Sequence, residues 1–370
     1  MNNTDVLILT ASFGNGHNSA TKAIREELEK EDSNLNIIEK DMFEVTTPRL
    51  KDYLFETYRL LTRKHPTWYN RLYRLRSESS VNIVDELMLQ LYFDRFVEFM
   101  NMHQPRVVVS VFPTCASFAS KYKDRFNPDL KLVTCITDVI DNWEWLHLNT
   151  DKYFVPSEEV KQNLIRKGVP YCRIVVTGIP VRNAFKEVHK VDHHKPCKQL
   201  LIVASAMEKL ELDSKTLELI NSLDRLKTII ITGNNHKLYK RLNDYGPFEN
   251  ISVIGYTTDM ARIMAQSDLI LSKAGGATIF EAISLELPLL IKASEVGQED
   301  DNVQFIKANG IGDSIDVNED VVGKLSVILS NEAYTERLQE NIRVLKESLE
   351  PQRIAPEIIN YVNSEHARVN

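Results

Sequence analysis

"LILSKAGGATIFEAISLELPLLI", residues Leu269 to Ile291, holds an apolar run, a double glycine, a helical pattern and a second apolar run in close succession. Leu269 to Ser272 is near-continuously apolar, as a strand covered on both faces should be. Gly275 and Gly276 bend the chain, Ala277 to Ser284 resume helical spacing, and "LPLLI" (Leu287 to Ile291) returns to a strand pattern. Strand, helix and strand at this spacing make a βα unit of a parallel sheet. A Gly-Gly pair that opens a helix also leaves backbone N–H groups free at the positive end of the helix dipole, which suits a diphosphate without a metal. Thr278 adds a hydroxyl for a phosphate oxygen. Glu281, one helical turn on, is placed to accept both hydroxyls of a ribose, and it also reads as a plain solvent-facing residue.

The same rhythm extends in both directions. Strand patterns fall at Asp5 to Ala11, Leu35 to Glu39, Arg106 to Phe112, Lys131 to Thr137 and Asp151 to Pro156, and again at Gln199 to Ala204, Lys227 to Thr232, Ile251 to Ile254 and Asp268 to Ser272. Helix-period segments lie between them, so the fold class is α/β with two Rossmann-like domains built on parallel sheets. A length of 370 residues fits two such domains. The boundaries read as 1–183 for the first domain, 184–198 for a charged linker poor in apolar residues, and 199–350 for the second. Pro351 interrupts the helix-period stretch Val344 to Ser364, which sets off a C-terminal helix at 351–370.

Composition narrows the function. Hydrophobic residues make up 43% and charged residues 26%, the balance of an ordinary globular chain, and the net charge of -7 disfavours wholesale nucleic-acid binding. The four cysteines, Cys115, Cys135, Cys172 and Cys197, lack C-x-x-C or zinc spacing and read as reduced thiols. His193 and His194 are adjacent and point different ways on most backbones, so no metal site is expected there. The apolar start "DVLILTA" has no basic flank and is too short for a signal segment, and no run reaches the roughly 18 apolar residues that span a bilayer. Contact with a membrane is therefore expected from the cytoplasmic face.

One segment breaks the βα rhythm: "KDYLFETYRLLTRKHPTWYNRLYRLR", Lys51 to Arg76. Its basic residues, among them Arg59, Arg63, Lys64 and Arg71, alternate with aromatics that include Trp68 and Tyr69. Cations beside amphipathic rings suit an anionic lipid surface. Surface helices packed on the first domain fit the same pattern, and nucleic acid is a third reading.

Two further loops carry candidate chemistry. In "ILTASFGNGHNSA" (Ile8 to Ala20), Gly14, Asn15 and Gly16 follow the first strand and lead to His17. A dinucleotide fingerprint wants Gly or Ala at position 19, where Ser is tolerable but unpersuasive, and a histidine follows Gly16 directly, so the loop reads instead as an open turn at the carboxyl end of a strand. His17, just before a helix N-terminus, would be held neutral and able to act as a base; alternatively it caps the loop. In "ASEVGQEDDNVQF" (Ala293 to Phe305), Gln298, Glu299 and Asn302 crowd polar groups that can orient sugar hydroxyls, or else form an acidic loop opening a helix at Asp300.

Taken together, "TASFGNGHNSATKAI", "VTGIPVRNAF", "ITGNNHKL", "GYTTDMARIMAQSDLILSKAGGATIFEAISLELPLLI" and "GQEDDN" resemble the diacylglycerol glucosyltransferases and monogalactosyldiacylglycerol synthases, with similarity to the glycosyltransferase that makes lipid II. The resemblance runs over nearly the whole chain. It implies a GT-B fold, two Rossmann-like domains facing a cleft with the last helix crossing back to the first domain. It also implies inverting, metal-independent transfer of a hexose from a UDP-sugar to a lipid hydroxyl. His17 then falls on the general base, Gly275, Gly276, Ala277 and Thr278 on the diphosphate loop, and Glu281 on the ribose. Gln298 and Glu299 meet the sugar hydroxyls with Asn302 nearby, and Tyr256 and Thr257 meet uracil. Gly14, Asn15, Gly16, Asp138, Asn142 and Trp145 fall on the acceptor side.

The chain departs from that family at several positions. Ala274 and Val296 stand where prolines are common, and "ASAMEKLEL" (Ala204 to Leu212) replaces a glycine-rich phosphate-contacting loop. In "TDVIDNWEWLH" (Thr137 to His147), Asn142 takes the place of a histidine, and an amide cannot exchange a proton. The reading is a UDP-hexose donor with no cofactor, a diacylglycerol or related lipid acceptor, and an anionic membrane surface contacted peripherally from the cytoplasm. A degenerate member that binds sugar nucleotide or lipid without turnover is one alternative, and a UDP-sugar epimerase of similar fold is another.

Overall fold

The structure is a computed structural model that describes residues 4–11, 15–48, 83–188, 197–207, 212–293, 297–316 and 319–369. In chain order the first elements are β1 (Val6–Thr10), α1 (Asn15–Glu31), β2 (Ile37–Asp41), α2 (Met42–Thr46), α3 (Ile83–His103), β3 (Val107–Ser110), α4 (Pro113–Arg125), β4 (Lys131–Cys135), β5 (Lys152–Val155), α5 (Glu158–Arg166) and β6 (Ile174–Val176). A second series follows: α6 (Asn183–Glu187), β7 (Lys198–Ile202), α7 (Ser214–Asn221), β8 (Leu226–Ile231), α8 (His236–Asp244), β9 (Ile251–Ile254), α9 (Met260–Gln266), β10 (Leu269–Lys273) and α10 (Gly276–Ser284). The chain closes with β11 (Leu289–Lys292), α11 (Gly297–Ala308), β12 (Gly312–Ile315), α12 (Val321–Ser330), α13 (Glu332–Glu347) and α14 (Ile354–Val369).

Two compact units result. One comprises Met1–Asn183 with Glu295–Gln298 and Leu349–Asn370, the other Ala184–Ser294 with Glu299–Ser348. Each is an α/β unit with one six-stranded parallel sheet.

In the first unit the strand order is β2-β1-β3-β4-β5-β6. Successive side chains of a strand face opposite ways, and β1 shows the result directly. Val6 and Ile8 join a cluster with Ile24 and Leu28 of α1, while Leu7 and Leu9 join another with Phe93 and Phe96 of α3 and Phe118 of α4. Both faces are therefore dry, and the strand reads as one apolar run rather than an alternating one. The C-terminal α14 belongs to this unit: Ile354, Ala355, Ile358 and Val362, spaced along one helical face, complete the cluster on the α1 side. Glu357 of α14 pairs with Lys152 of β5 at 3.2 Å.

In the second unit the order is β12-β11-β10-β7-β8-β9. Leu200, Ile202, Leu269, Leu271 and Leu290 from the central strands pack with Leu217 of α7 and Leu325 and Ile328 of α12.

Several boundaries differ from the sequence reading. α1 starts at Asn15, so His17 lies inside the first helical turn rather than before it. Gly16 does not prevent this, because helix starts rest on capping and dipole rather than propensity. α11 starts at Gly297, so "GQEDDN" is the opening of a helix and not a turn leading to one at Asp300. The 184–198 stretch is not all connector: α6 covers Asn183–Glu187, Phe185 is buried, and its carbonyl accepts from Ser284 Oγ at 3.4 Å. One buried aromatic was enough to fold five polar-rich residues onto the unit, while 189–196 lie outside the described residues. The strands β6 and β12 escaped sequence reading, the first being three residues long and the second interrupted by Gly312, Asp313 and Ser314. Among the described residues no helix is long and apolar enough to cross a membrane.

Candidate active site

In an open α/β sheet, ligands gather outside the carboxyl ends of the strands where the strand order reverses. In the first unit that reversal lies between β1 and β3, and His17 sits there. Its Nδ1 is 3.0 Å from the carbonyl oxygen of Val111, the residue after β3. Thr137 Oγ1, from the loop after β4, lies 2.9 Å from the same nitrogen. A carbonyl oxygen only accepts, so the proton is on Nδ1, which donates to Val111 and shares that hydrogen with the Thr137 hydroxyl. The Nε2 lone pair is left for another partner, and among the described residues it has none. Phe112 packs on the imidazole, ring centroids 5.2 Å apart and planes at 86°.

Burial lowers the His17 pKa from 6.5 to about 4, partly opposed by the Val111 carbonyl. The positive end of α1 acts in the same direction as burial. The ring is neutral at physiological pH.

Gly16 occupies the same first turn, whereas Gly14 and the side chain of Asn15 lie outside the described residues. The loop after β4 carries the other acceptor-side residues. Asp138 directly follows Thr137, and its carbonyl accepts from Ile140 N–H at 2.9 Å. Asn142 is buried, and its carbonyl accepts from Trp145 N–H at 3.1 Å, closing the short 3-10 turn Trp143–Trp145. Trp145 is 1% exposed, and its indole N–H has no hydrogen-bond partner among the described residues. His147, two residues on, is a second depressed imidazole: burial takes it to about 4 against the opposing backbone groups of Pro113 and Glu144. The segment holding Arg59, Arg63, Lys64, Trp68, Tyr69 and Arg71 lies outside the described residues.

In the second unit the order reverses between β7 and β10. β10 runs into Ala274 and Gly275, and α10 begins at Gly276 with no side-chain cap on its N-terminus. The Gly275 N–H donates to the Lys273 carbonyl at 2.9 Å. The next amides, of Gly276, Ala277 and Thr278, are those that a helix start leaves without an intrahelical partner. Thr278 is half-buried, and Glu281 stands one turn further along the same helix.

α11 braces this loop. Asn302, fully buried, donates from Nδ2 to the Ala274 carbonyl at 2.8 Å, and Glu299 Oε1 receives Lys273 Nζ at 3.0 Å. The side chain of Gln298 lies outside the described residues. Tyr256 and Thr257 follow β9, the edge strand. Tyr256 is 70% exposed, and the Thr257 hydroxyl accepts from Asp259 N–H at 3.0 Å. Three strand spacings separate β9 from β10, about 14 Å.

Three groups that touch the candidate residues went unread in the sequence: the Val111 carbonyl, Thr137 and Lys273. A backbone carbonyl leaves no signature in residue types, and the other two, Thr137 after β4 and Lys273 at the end of β10, are unremarkable polar residues. Their only sequence signal is position at a strand's carboxyl end.

Two Rossmann-type units, each with a polar loop at its order reversal, define the GT-B class. Comparison with known proteins is more specific. The family model "Monogalactosyldiacylglycerol (MGDG) synthase" matches residues 17–181, and "Glycosyltransferase family 28 C-terminal domain" matches 201–353. The processive diacylglycerol beta-glucosyltransferase of Bacillus subtilis (strain 168) is 26% identical over 356 residues, covering 93% of this chain and 91% of its own. That of Staphylococcus carnosus (strain TM300) is 25% identical over 360 residues, covering 93% and 89%. Among solved structures, the calicheamicin glycosyltransferase CalG4 superimposes with a TM-score of 0.67 at 12% identity, covering 98% of this chain and 99% of its own. A putative UDP-N-acetylglucosamine 2-epimerase from Listeria monocytogenes gives 0.64 at 14%, covering 100% and 98%. These likenesses are of fold. The chain belongs to the glycosyltransferase group that the two family models describe, the family 28 enzymes akin to diacylglycerol glucosyltransferases and monogalactosyldiacylglycerol synthases.

Proposed function

We propose that the protein transfers a hexose from a UDP-sugar to the hydroxyl of diacylglycerol or a related lipid, with inversion at the anomeric carbon and without a metal ion. The observation that carries this reading is His17: a neutral imidazole at a strand-order reversal, its proton fixed on Nδ1 and its Nε2 lone pair without a partner among the described residues. The printed names of the relatives supply the lipid class.

In the proposed step the acceptor oxygen attacks the anomeric carbon opposite the diphosphate. The bond from that carbon to the β-phosphate oxygen breaks, its electron pair leaves with UDP, and the hydroxyl proton passes to Nε2. An oxygen that is bonding to carbon sheds its proton readily, so a base with a pKa of about 4 suffices. The Val111 carbonyl and Thr137 hydroxyl then hold the Nδ1–H of the imidazolium, where many enzymes place a carboxylate. The leaving diphosphate is met by the amides of Gly276, Ala277 and Thr278. Glu281 takes the ribose, and Tyr256 and Thr257 the uracil. Gln298 and Glu299 serve the sugar, with Asn302 holding the loop in place. Gly14, Asn15, Gly16, Asp138, Asn142 and Trp145 shape the acceptor side. Arg59, Arg63, Lys64, Trp68, Tyr69 and Arg71 meet anionic lipid headgroups, which places the protein peripherally on the inner face of the membrane.

The test is UDP release and glycolipid formation from UDP-glucose, UDP-galactose or UDP-N-acetylglucosamine with diacylglycerol vesicles, with and without EDTA. His17→Ala should slow transfer by at least about 10²-fold while UDP affinity stays nearly unchanged. Near-wild-type turnover in that variant removes His17 from the base role. UDP binding by the wild type with no release from any donor would favour a non-catalytic family member.

A further inference from the structure

Lys273, the last residue of β10, turns back over the loop that follows it. A Cβ built on Gly275 would lie 3.7 Å from Lys273 Cε, so the end of the lysine stem lies beside the residue that precedes α10. An ammonium there stands near the positive end of a helix dipole, the reverse of the favourable arrangement. The charge that offsets it is Glu299, 3.0 Å away. The partners are unequally placed: the lysine side chain is 46% exposed and the glutamate 11%. A half-exposed lysine can turn away from such a pair, whereas a buried carboxylate cannot follow it into solvent and then needs another donor in its place.

We infer that Lys273 is a diphosphate-binding residue and that Glu299 is its resting counter-ion. This rests on the donor-site reading given above. When the diphosphate arrives, the ammonium swings from the Glu299 carboxylate to a β-phosphate oxygen and donates a hydrogen bond without giving up its proton. As the bond from the anomeric carbon to that oxygen breaks and its electron pair moves onto the phosphate, the cation meets the growing charge. The same movement frees Glu299 to accept from a hydroxyl of the donor sugar. One ion pair thereby couples the two ends of the donor: the Glu299 oxygen that holds Lys273 is released to the sugar once the diphosphate has drawn the lysine away.

The test compares uridine and UDP binding by calorimetry in the wild type, Lys273→Met, Lys273→Arg and Glu299→Gln, with thermal melting to confirm that each variant is folded. Lys273→Met should weaken UDP about ten-fold and leave uridine unchanged, and Lys273→Arg should recover most of the loss. Glu299→Gln should bind UDP as tightly as the wild type or several-fold more tightly, because the competing carboxylate is gone, and yet lose hexose transfer. A purely structural ion pair gives a different pattern, in which Lys273→Met and Glu299→Gln weaken UDP alike, and that result overturns the inference. Equal UDP affinity in Lys273→Met and wild type overturns it as well. A wild type that binds neither ligand overturns the donor-site reading, and this inference with it.

Discussion

Acidification should destabilise the first unit before ordinary carboxylates begin to titrate. His17 and His147 each have a pKa of about 4 when folded, against 6.5 for an unperturbed histidine. Between those values the unfolded chain binds a proton at each ring that the folded chain refuses. Stability is therefore fully present above about pH 6.5 and falls as pH drops towards 4, at up to about 1.4 kcal/mol per pH unit for each ring. The whole interval corresponds to roughly 3 kcal/mol per histidine, an upper figure because both residues are partly exposed rather than wholly enclosed. The assay is selective, because the three tryptophans, Trp68, Trp143 and Trp145, all fall in the first unit. Urea unfolding followed by tryptophan fluorescence at pH 7.5, 6.5, 5.8 and 5.2 should show a falling midpoint. His17→Asn and His147→Asn each keep a donor near the Nδ1 position and abolish titration, so each should flatten the slope by about one proton. A midpoint that does not move between pH 6.5 and 5.2, or a slope unchanged in both variants, would refute the assignment of these rings as buried neutral bases.

Three further outcomes can be checked separately. Thr137→Val removes one of the two acceptors at His17 Nδ1 and should lower kcat about ten-fold with KM little changed, the worth of one hydrogen bond, with Thr137→Ser restoring activity; equal kcat in the valine variant shows that Val111 alone orients the ring. Gly312→Ala would put a Cβ 2.2 Å from the Leu289 carbonyl oxygen and 2.9 Å from its carbon, forcing β11 and β12 apart, and should cost about 2–3 kcal/mol in melts of the second unit followed by circular dichroism. Vesicle sedimentation should show binding that rises with anionic lipid and falls with salt, driven by the basic residues between Lys51 and Arg76; binding indifferent to both would defeat the interfacial role of that segment.

The fold was legible because its central strands are buried on both faces. β1, β3 and β10 announce themselves as unbroken apolar runs, and the glycine pair at Gly275 marks where β10 hands over to α10. What stayed hidden was whatever depended on packing rather than pattern. β12 has a single large apolar residue, Ile315, and starts on a buried glycine whose missing side chain lets β11 approach, so no periodicity reports it. Phe185 folded part of an expected connector. At the site, His17 was found by its loop, but its tautomer is set by a carbonyl 94 positions away and a hydroxyl 120 away, which no local spacing encodes. Glu299 was read as a free sugar ligand, and the structure gives it Lys273 as a partner.

The departure at 204–212 also acquires a physical meaning. β7 and β10 flank the order reversal, so both exits are in position to present backbone donors to an anion. The exit from β7 does not rise as a glycine-rich loop: Ala204–Ala206 forms a 3-10 turn, Met207 is buried in the core, and Ser205 lies against Gly233, where a Cβ would come within 3.1 Å of its own. Gly233 has a φ of +53°, a conformation that glycine adopts without strain and that lets the β8 exit close on this turn. A turn fastened into the core by Met207 cannot readily lift its backbone towards a phosphate, and residues 208–211 lie outside the described residues. In the proposed reaction, the charge of the leaving group is met by the uncapped start of α10 and by the lysine beside it. That is why the binding of UDP, more than of uridine, is where a change at Lys273 should register.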